Sequence, residues 1–191
     1  MKVLPLVIAY GLLGGVGQAW AADGAADLSA QVIAHLGQVG ERTQIFHEKK
    51  DIAALTHPLL SNGVLVFHRP AYLEKKTQAP RPETLVIDGD MVSIQRGAGD
   101  VHHVALAQNA ALALLAATLR APLEGNLPAL THDYAVTAQG DLGAWTLRMT
   151  PISAQAVHLV RLVVLTGRNN AVDSLRIVQA NGDVQTLTLD P

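Results

Sequence analysis

From residue 43 onward, turn-forming residues punctuate the chain at short intervals, and between them apolar and polar side chains alternate with a period of two. No other feature constrains the fold so tightly. Segments 43–50, 64–69, 72–78, 84–87, 91–96, 134–137, 145–150, 159–166, 172–179 and 184–189 each read as a short strand. Asn62-Gly63, Asp88-Gly89 and Asn181-Gly182 are turn signals, while Pro70, Pro80 and Pro82 stop strands. Residues 51–60, holding Pro58, form a connection. Consecutive short strands joined by tight turns pair antiparallel. About ten of them in about 170 residues predict a mainly β chain (α+β), an unclosed antiparallel β-barrel or highly curved sheet.

Helical patterns interrupt this series. Asp27 is placed to cap a helix from 28 to about 39, in which Leu28, Val32, Ile33 and Leu36 share a face and Gly37 and Gly40 mark the end. Residues 108–119 are rich in Ala and Leu and free of Gly and Pro, so propensity predicts a helix, ended by Arg120 and Pro122. A short helix follows over 124–131, with Asn126 near its start, and 153–157 forms a turn or helical piece. The apolar stretch 101–119 is broken by His102, His103, Gln108 and Asn109, which favours an amphipathic or buried segment over a membrane span.

Helices packed into the concave face of a curved sheet would enclose an aliphatic interior. Composition agrees: hydrophobic residues make up 49% of the chain, but aromatics only 4%. The expected lining is Leu65, Phe67, Leu85 and Ile87 from strands, and Leu112, Leu115 and Leu119 from the central helix. The period of two also puts Gly63, Leu65, Phe67 and Arg69 on one face. Periodicity alone does not separate a filled core from a lidded cavity.

The N-terminus indicates a compartment. Lys2, an apolar run over 3–16 and the Ala19-Trp20-Ala21 pattern define a cleaved signal peptide over 1–21, with one domain over 22–191. There is no cysteine, hence no lipid-attachment site and no disulfide framework. An unanchored protein of a Gram-negative periplasm is expected. Without Lys2, 13 basic residues face 16 acidic ones, which argues against nucleic acid as a partner.

Enzyme motifs are missing. The sequence has no H-E-x-x-H and no G-x-S-x-G. The adjacent His102 and His103 would point to opposite faces of a strand, so they are poorly placed to share a metal. His47, His57 and His68 read as surface residues, and Asp88-Gly89-Asp90 as a turn. The Glu-Lys-Lys runs at 48–50 and 74–76 read as solvated strand faces, or less simply as a surface that docks to an acidic membrane partner. No cofactor, metal or catalytic group is expected.

Three stretches in order carry a family resemblance: Gly63-Val64-Leu65-Val66-Phe67-His68-Arg69-Pro70, Thr77-Gln78-Ala79-Pro80, and Leu85-Val86-Ile87-Asp88-Gly89. With the upstream helix and the Phe46-containing strand, this series resembles the core of LolA-type carriers. The resemblance implies a half-open barrel closed by helices that shuttles lipoproteins from the inner to the outer membrane. It implies that Arg69 holds a lid shut by hydrogen bonds, and that an aromatic near Arg-Pro, here Tyr72, lines the cavity. It also implies an inner-membrane donor, an outer-membrane acceptor and a monomeric carrier in transient membrane contact. Glu74 and Lys75 depart from the pattern, standing where an aromatic is expected, and the central helical insertion is longer and more aliphatic than a simple lid. These departures fit a divergent branch whose cargo is a lipoprotein or another lipid, such as an aryl polyene lipid. The alternative is a periplasmic sensor or scaffold module of the same fold that binds an envelope protein.

Overall fold

The computed structural model describes residues 27–191. The signal peptide expected over 1–21 lies outside the described residues. Helix α1 (Leu28–Leu36) comes first, and the Asp27 side chain accepts from the Ser29 amide at its start. Val32, Ile33 and Leu36 form its buried face. A meander follows: β1 (Glu41–Asp51), β2 (Leu59–His68), β3 (Tyr72–Ala79), β4 (Glu83–Asp88), β5 (Met91–Arg96) and β6 (Val101–Ala105). A single 3-10 turn leads to α2 (Ala110–Glu124) and α3 (Leu127–Asp133). The second meander is β7 (Tyr134–Asp141), β8 (Ala144–Pro151), the short α4 (Ala154–Leu159), β9 (Val160–Arg168), β10 (Ala171–Gln179) and β11 (Val184–Leu189).

All eleven described strands belong to one sheet, in the order β6-β5-β4-β3-β2-β1-β11-β10-β9-β8-β7. Every pairing is antiparallel, as short hairpins require. The two meanders join where β1 meets β11, with Phe46 opposite Leu189. The free edges are β6 and β7, and they do not pair, so the barrel stays open. The segment that joins these edges in sequence is α2–α3, so the helices bridge the opening.

The expected fold class holds, with particular corrections. Residues 101–105 form an eleventh strand, because Val92 and Ile94 on β5 offer a ladder that accepts it. Asn62-Gly63 is not a turn but the middle of β2. Gly63 is there because β3 crosses so close that a Cβ would lie 2.0 Å from the Lys76 carbonyl oxygen. The turns at Asp88-Gly89 and Asn181-Gly182 stand as expected, with Gly89 at φ 51° and Gly182 at φ 94°. Helix α2 does not end at Arg120 or Pro122. It runs on to Glu124 and stops at Gly125, whose φ of 74° supplies the left-handed cap. Asn126 then caps α3, accepting from the Ala129 amide.

Candidate functional site

Helix α2 is sandwiched. On one side Leu114 and Ala121 are buried, and the Thr118 hydroxyl bonds both the Leu114 carbonyl (2.7 Å) and the Tyr134 hydroxyl (2.8 Å). On the other side Leu112, Leu115, Ala116, Leu119 and Leu123 recur at helical spacing and face the concave sheet. Between that stripe and the sheet lies a cavity of about 290 Å³. Leu112, Leu115 and Leu119 are only half-buried, although they sit on the inward face of an internal helix. Leucines at closed core positions would be fully covered, so these border open space.

The sequence-predicted lining converges here. Leu65, Phe67, Leu85, Ile87, Leu112, Leu115 and Leu119 all border this one cavity. Tyr72 does not. It lies on the outward face of β3, where its hydroxyl donates to Glu74 at 2.8 Å and its ring tilts against His68. Burial, reinforced by the Glu74 carboxylate, pushes its phenol up to about 12. The alternation of β3 explains the placement: Leu73 and Lys75 point inward, so Tyr72 and Glu74 point out.

Arg69 is exposed and stands at the margin of the cavity rather than in its lining. Its guanidinium donates to the Gly37 carbonyl, at the end of α1, and to the Glu124 carbonyl, 2.9 Å away at the end of α2. A second arginine pins the same end of α2. Arg120 donates to the carbonyls of Ala71 (3.2 Å) and Gly89 (2.6 Å), in the β2–β3 and β4–β5 turns. Its Nε lies 3.1 Å from Glu124 Oε1, an ion pair closed within one turn of helix. At the other end of α2, Gln155 of α4 donates to the Ala110 carbonyl. The helix over the cavity is therefore held at its ends by side-chain bonds to carbonyls, and along its length by apolar contact.

Polar groups from the Glu-Lys-Lys runs bound one part of the hollow, against the expectation that these runs are solvated strand faces. The runs are not solvated throughout. Glu48 and Lys75 sit at inward positions of β1 and β3, and the Glu48 side chain is only 2% exposed. Lys75 Nζ lies 2.6 Å from Glu48 Oε1 and 4.9 Å from the centre of the Phe46 ring. Ser61 (2.7 Å) and Gln185 also donate to Glu48, and Lys50 Nζ stands 3.5 Å away. Burial alone would push the Glu48 carboxyl up, but Lys75, Ser61 and Lys50 together hold it below its ordinary range. Burial lowers the Lys75 ammonium, against the pull of Glu48.

A group with a depressed folded pKa adds stability above its unfolded value and loses it as pH falls through the folded one. For Glu48 that loss begins below about 4.5 and continues to more acid pH. Thermal melts should show the midpoint falling over that range, and Glu48→Gln, having no charge to lose, should show a flatter acid limb. Equal acid limbs would refute this account of the cluster.

Several lining residues carried no local signal. Leu175, Ile177, Leu187 and Leu189 reach the cavity only because β11 docks on β1. Arg42 and Gln44 were readable in principle, since they share the parity of Phe46. Among the described residues, no helix is long and apolar enough to cross a membrane, and no group of three His, Cys, Asp or Glu side chains is placed to hold a metal.

Fold and site together define an open half-barrel with a helical cover over an apolar hollow. A family model described as outer membrane lipoprotein carrier protein LolA-like matches residues 21–190. The chain belongs to this LolA-like family. Solved structures similar to it include a LolA superfamily protein from Nitrosomonas europaea, 11% identical, with 85% of this chain and 92% of that one covered and a TM-score of 0.42. Another is a DUF1329 family protein from Desulfovibrio piger, 9% identical, with coverage of 86% and 92% and a TM-score of 0.35. No curated protein matches the chain.

Proposed function

We propose that residues 22–191, freed of the signal peptide over 1–21, act in the periplasm as a carrier that takes acyl chains into the cavity under α2. The cargo is the acylated end of a lipoprotein, or a comparable lipid, moved from an inner-membrane donor to an outer-membrane acceptor. No catalytic step is involved. One observation carries this reading: the half-buried leucine stripe of α2 faces a hollow lined mostly by aliphatic side chains. Each methylene that enters such a site contributes on the order of 0.8 kcal/mol, without any polar contact. A hollow of about 290 Å³ is at the small end of ligand sites, which span roughly 300–1,000 Å³. A long chain would therefore enter as α2 swings away from the sheet. The protein purified from a periplasm and extracted for mass spectrometry should yield acylated species. If it yields none and takes up no fluorescent acyl probe, the carrier reading fails.

In this reading Arg69 is the latch. Its two carbonyl bonds tie the ends of α1 and α2 together only while the cover is shut. Replacing Arg69 with Leu removes both and favours the open form. Two charge-assisted bonds at an exposed site shift that balance by about 1–2 kcal/mol, roughly tenfold. Arg69→Leu should bind an acyl probe at least as tightly as the parent and release it to acceptor vesicles about ten times more slowly. Unchanged release would remove Arg69 from the mechanism.

A further inference from the structure

The charged side chains that line the cavity are Arg42, Lys50, Lys75 and Glu83. Three of them are committed. Lys50 and Lys75 face Glu48, and Glu83 accepts from Arg96 at 2.9 Å. Arg42 alone among these four makes no hydrogen bond or ion pair with any described residue. It is half-buried, on the inward face of β1 directly opposite Phe67. On its other side the β1–β11 ladder begins only at Phe46 and Leu189, so no β11 residue covers it. Its neighbour Gln44 is occupied, donating to the Asp190 carbonyl at 3.0 Å. Of the other arginines near the helical cover, Arg69 donates to two carbonyls, and Arg120 donates to two carbonyls and pairs with Glu124, so Arg42 is the exception in having no partner of either kind.

A guanidinium set into an apolar wall is costly unless something pairs with it. It cannot escape that cost by losing its proton, because arginine stays charged even where burial lowers its pKa, as it does here. Its planar fork matches a carboxylate or a phosphate with two parallel bonds. The nearest acid on its own strand's inner face, Glu48, is already engaged by Lys75, Ser61 and Gln185.

We infer that Arg42 is a binding residue for the head of the cargo, and that the preferred ligand is an amphiphile ending in an anion, carboxylate or phosphate, whose acyl chain lies against Leu65, Phe67 and the α2 leucines. The inference rests on the carrier reading and narrows its cargo. A wholly neutral acylated end would leave Arg42 unpaired.

The test uses displacement of a neutral fluorescent acyl probe from the purified protein. Palmitate and palmitoyl lysophosphatidic acid are compared with methyl palmitate and monopalmitoylglycerol. The anionic ligands should bind about tenfold more tightly than the neutral ones, the scale of a charge-assisted bond. Arg42→Gln should erase that preference, so that anionic and neutral ligands bind the variant with about equal affinity. Palmitate binding above lysophosphatidate points to a free carboxylate source, and the reverse to a phosphate headgroup; either supports the inference. Equal affinity for all four, or a preference that survives Arg42→Gln, overturns it and leaves the carrier reading standing. Binding of none overturns both. Should Arg42→Gln fail to fold, Arg42→Met decides: loss of the preference supports the inference, and a preference that survives overturns it.

Discussion

Lys75→Met should lower the unfolding free energy by about 3 kcal/mol, which for a chain of this size is roughly 6–12 °C in Tm. The physical cause is the position of Glu48. Its side chain is 2% exposed, on the concave side of β1, and Lys75 Nζ is its 2.6 Å counter-ion. Removing one partner of a buried pair strands the other, and that typically costs about 3–5 kcal/mol. The lower end applies because Ser61, Gln185 and, at 3.5 Å, Lys50 would still face the carboxylate. Removing both partners is a different matter. Glu48→Leu with Lys75→Met replaces the pair with apolar groups beside Phe46 and should recover most of the loss. Denaturant unfolding of Lys75→Met, Glu48→Leu alone and the double variant forms a double-mutant cycle. If Lys75→Met costs less than about 1 kcal/mol, the pair behaves as an ordinary surface bridge and its role in bounding the cavity falls.

Neighbours along the chain disclose structure that distant partners do not. Strand period and hairpin chemistry are short-range, so Met91–Arg96 and Val184–Leu189 were placed correctly, and the turns at Gly89 and Gly182 with them. The apolar lining was legible for the same reason: Leu65 and Phe67 alternate on one strand, and Leu112, Leu115 and Leu119 share one helix face. What could not be read depends on contacts between distant segments. Nothing near Gly63 announces that Lys76 will pass within 2.0 Å of a Cβ there. A Glu-Lys-Lys run looks solvated until β2 brings β3 alongside β1 and turns Lys75 toward Glu48 across 27 positions. Tyr72 faces outward, against what family likeness implies, because the strand's parity governs its direction. Counting by twos from Leu73 would have put it outside. Helix α2 runs past its expected end because it absorbs Pro122 in its last turn, at the loss of one i→i−4 bond, and stops only at Gly125, whose left-handed backbone supplies the cap.

Occluding the hollow should have a still larger effect on ligand affinity than losing Lys75 has on stability. Leu65 lies on β2, opposite Gln44 on one side and Lys75 on the other, and it is half-buried because it borders the cavity. The sheet is fixed by its ladders on both sides of β2, so a large ring at this position must occupy the space itself. Leu65→Trp should therefore project its indole across the hollow of about 290 Å³, block the path of a chain past it, and keep the Tm close to that of the parent, since the added group enters a void rather than a packed core. Displacing about five acyl methylenes forfeits on the order of 4 kcal/mol, close to a thousandfold in Kd. Leu65→Ala is the counterpart. It enlarges the same space, so it should lose stability while binding acyl probes at least as well. The contrast matters because a destabilised protein and an occluded one both bind poorly in a crude assay, and only the pair separates them. A Leu65→Trp variant that folds and still binds a long acyl probe with parental affinity would mean that cargo sits elsewhere. The leucines of α2 would then be an underpacked core and not a binding surface.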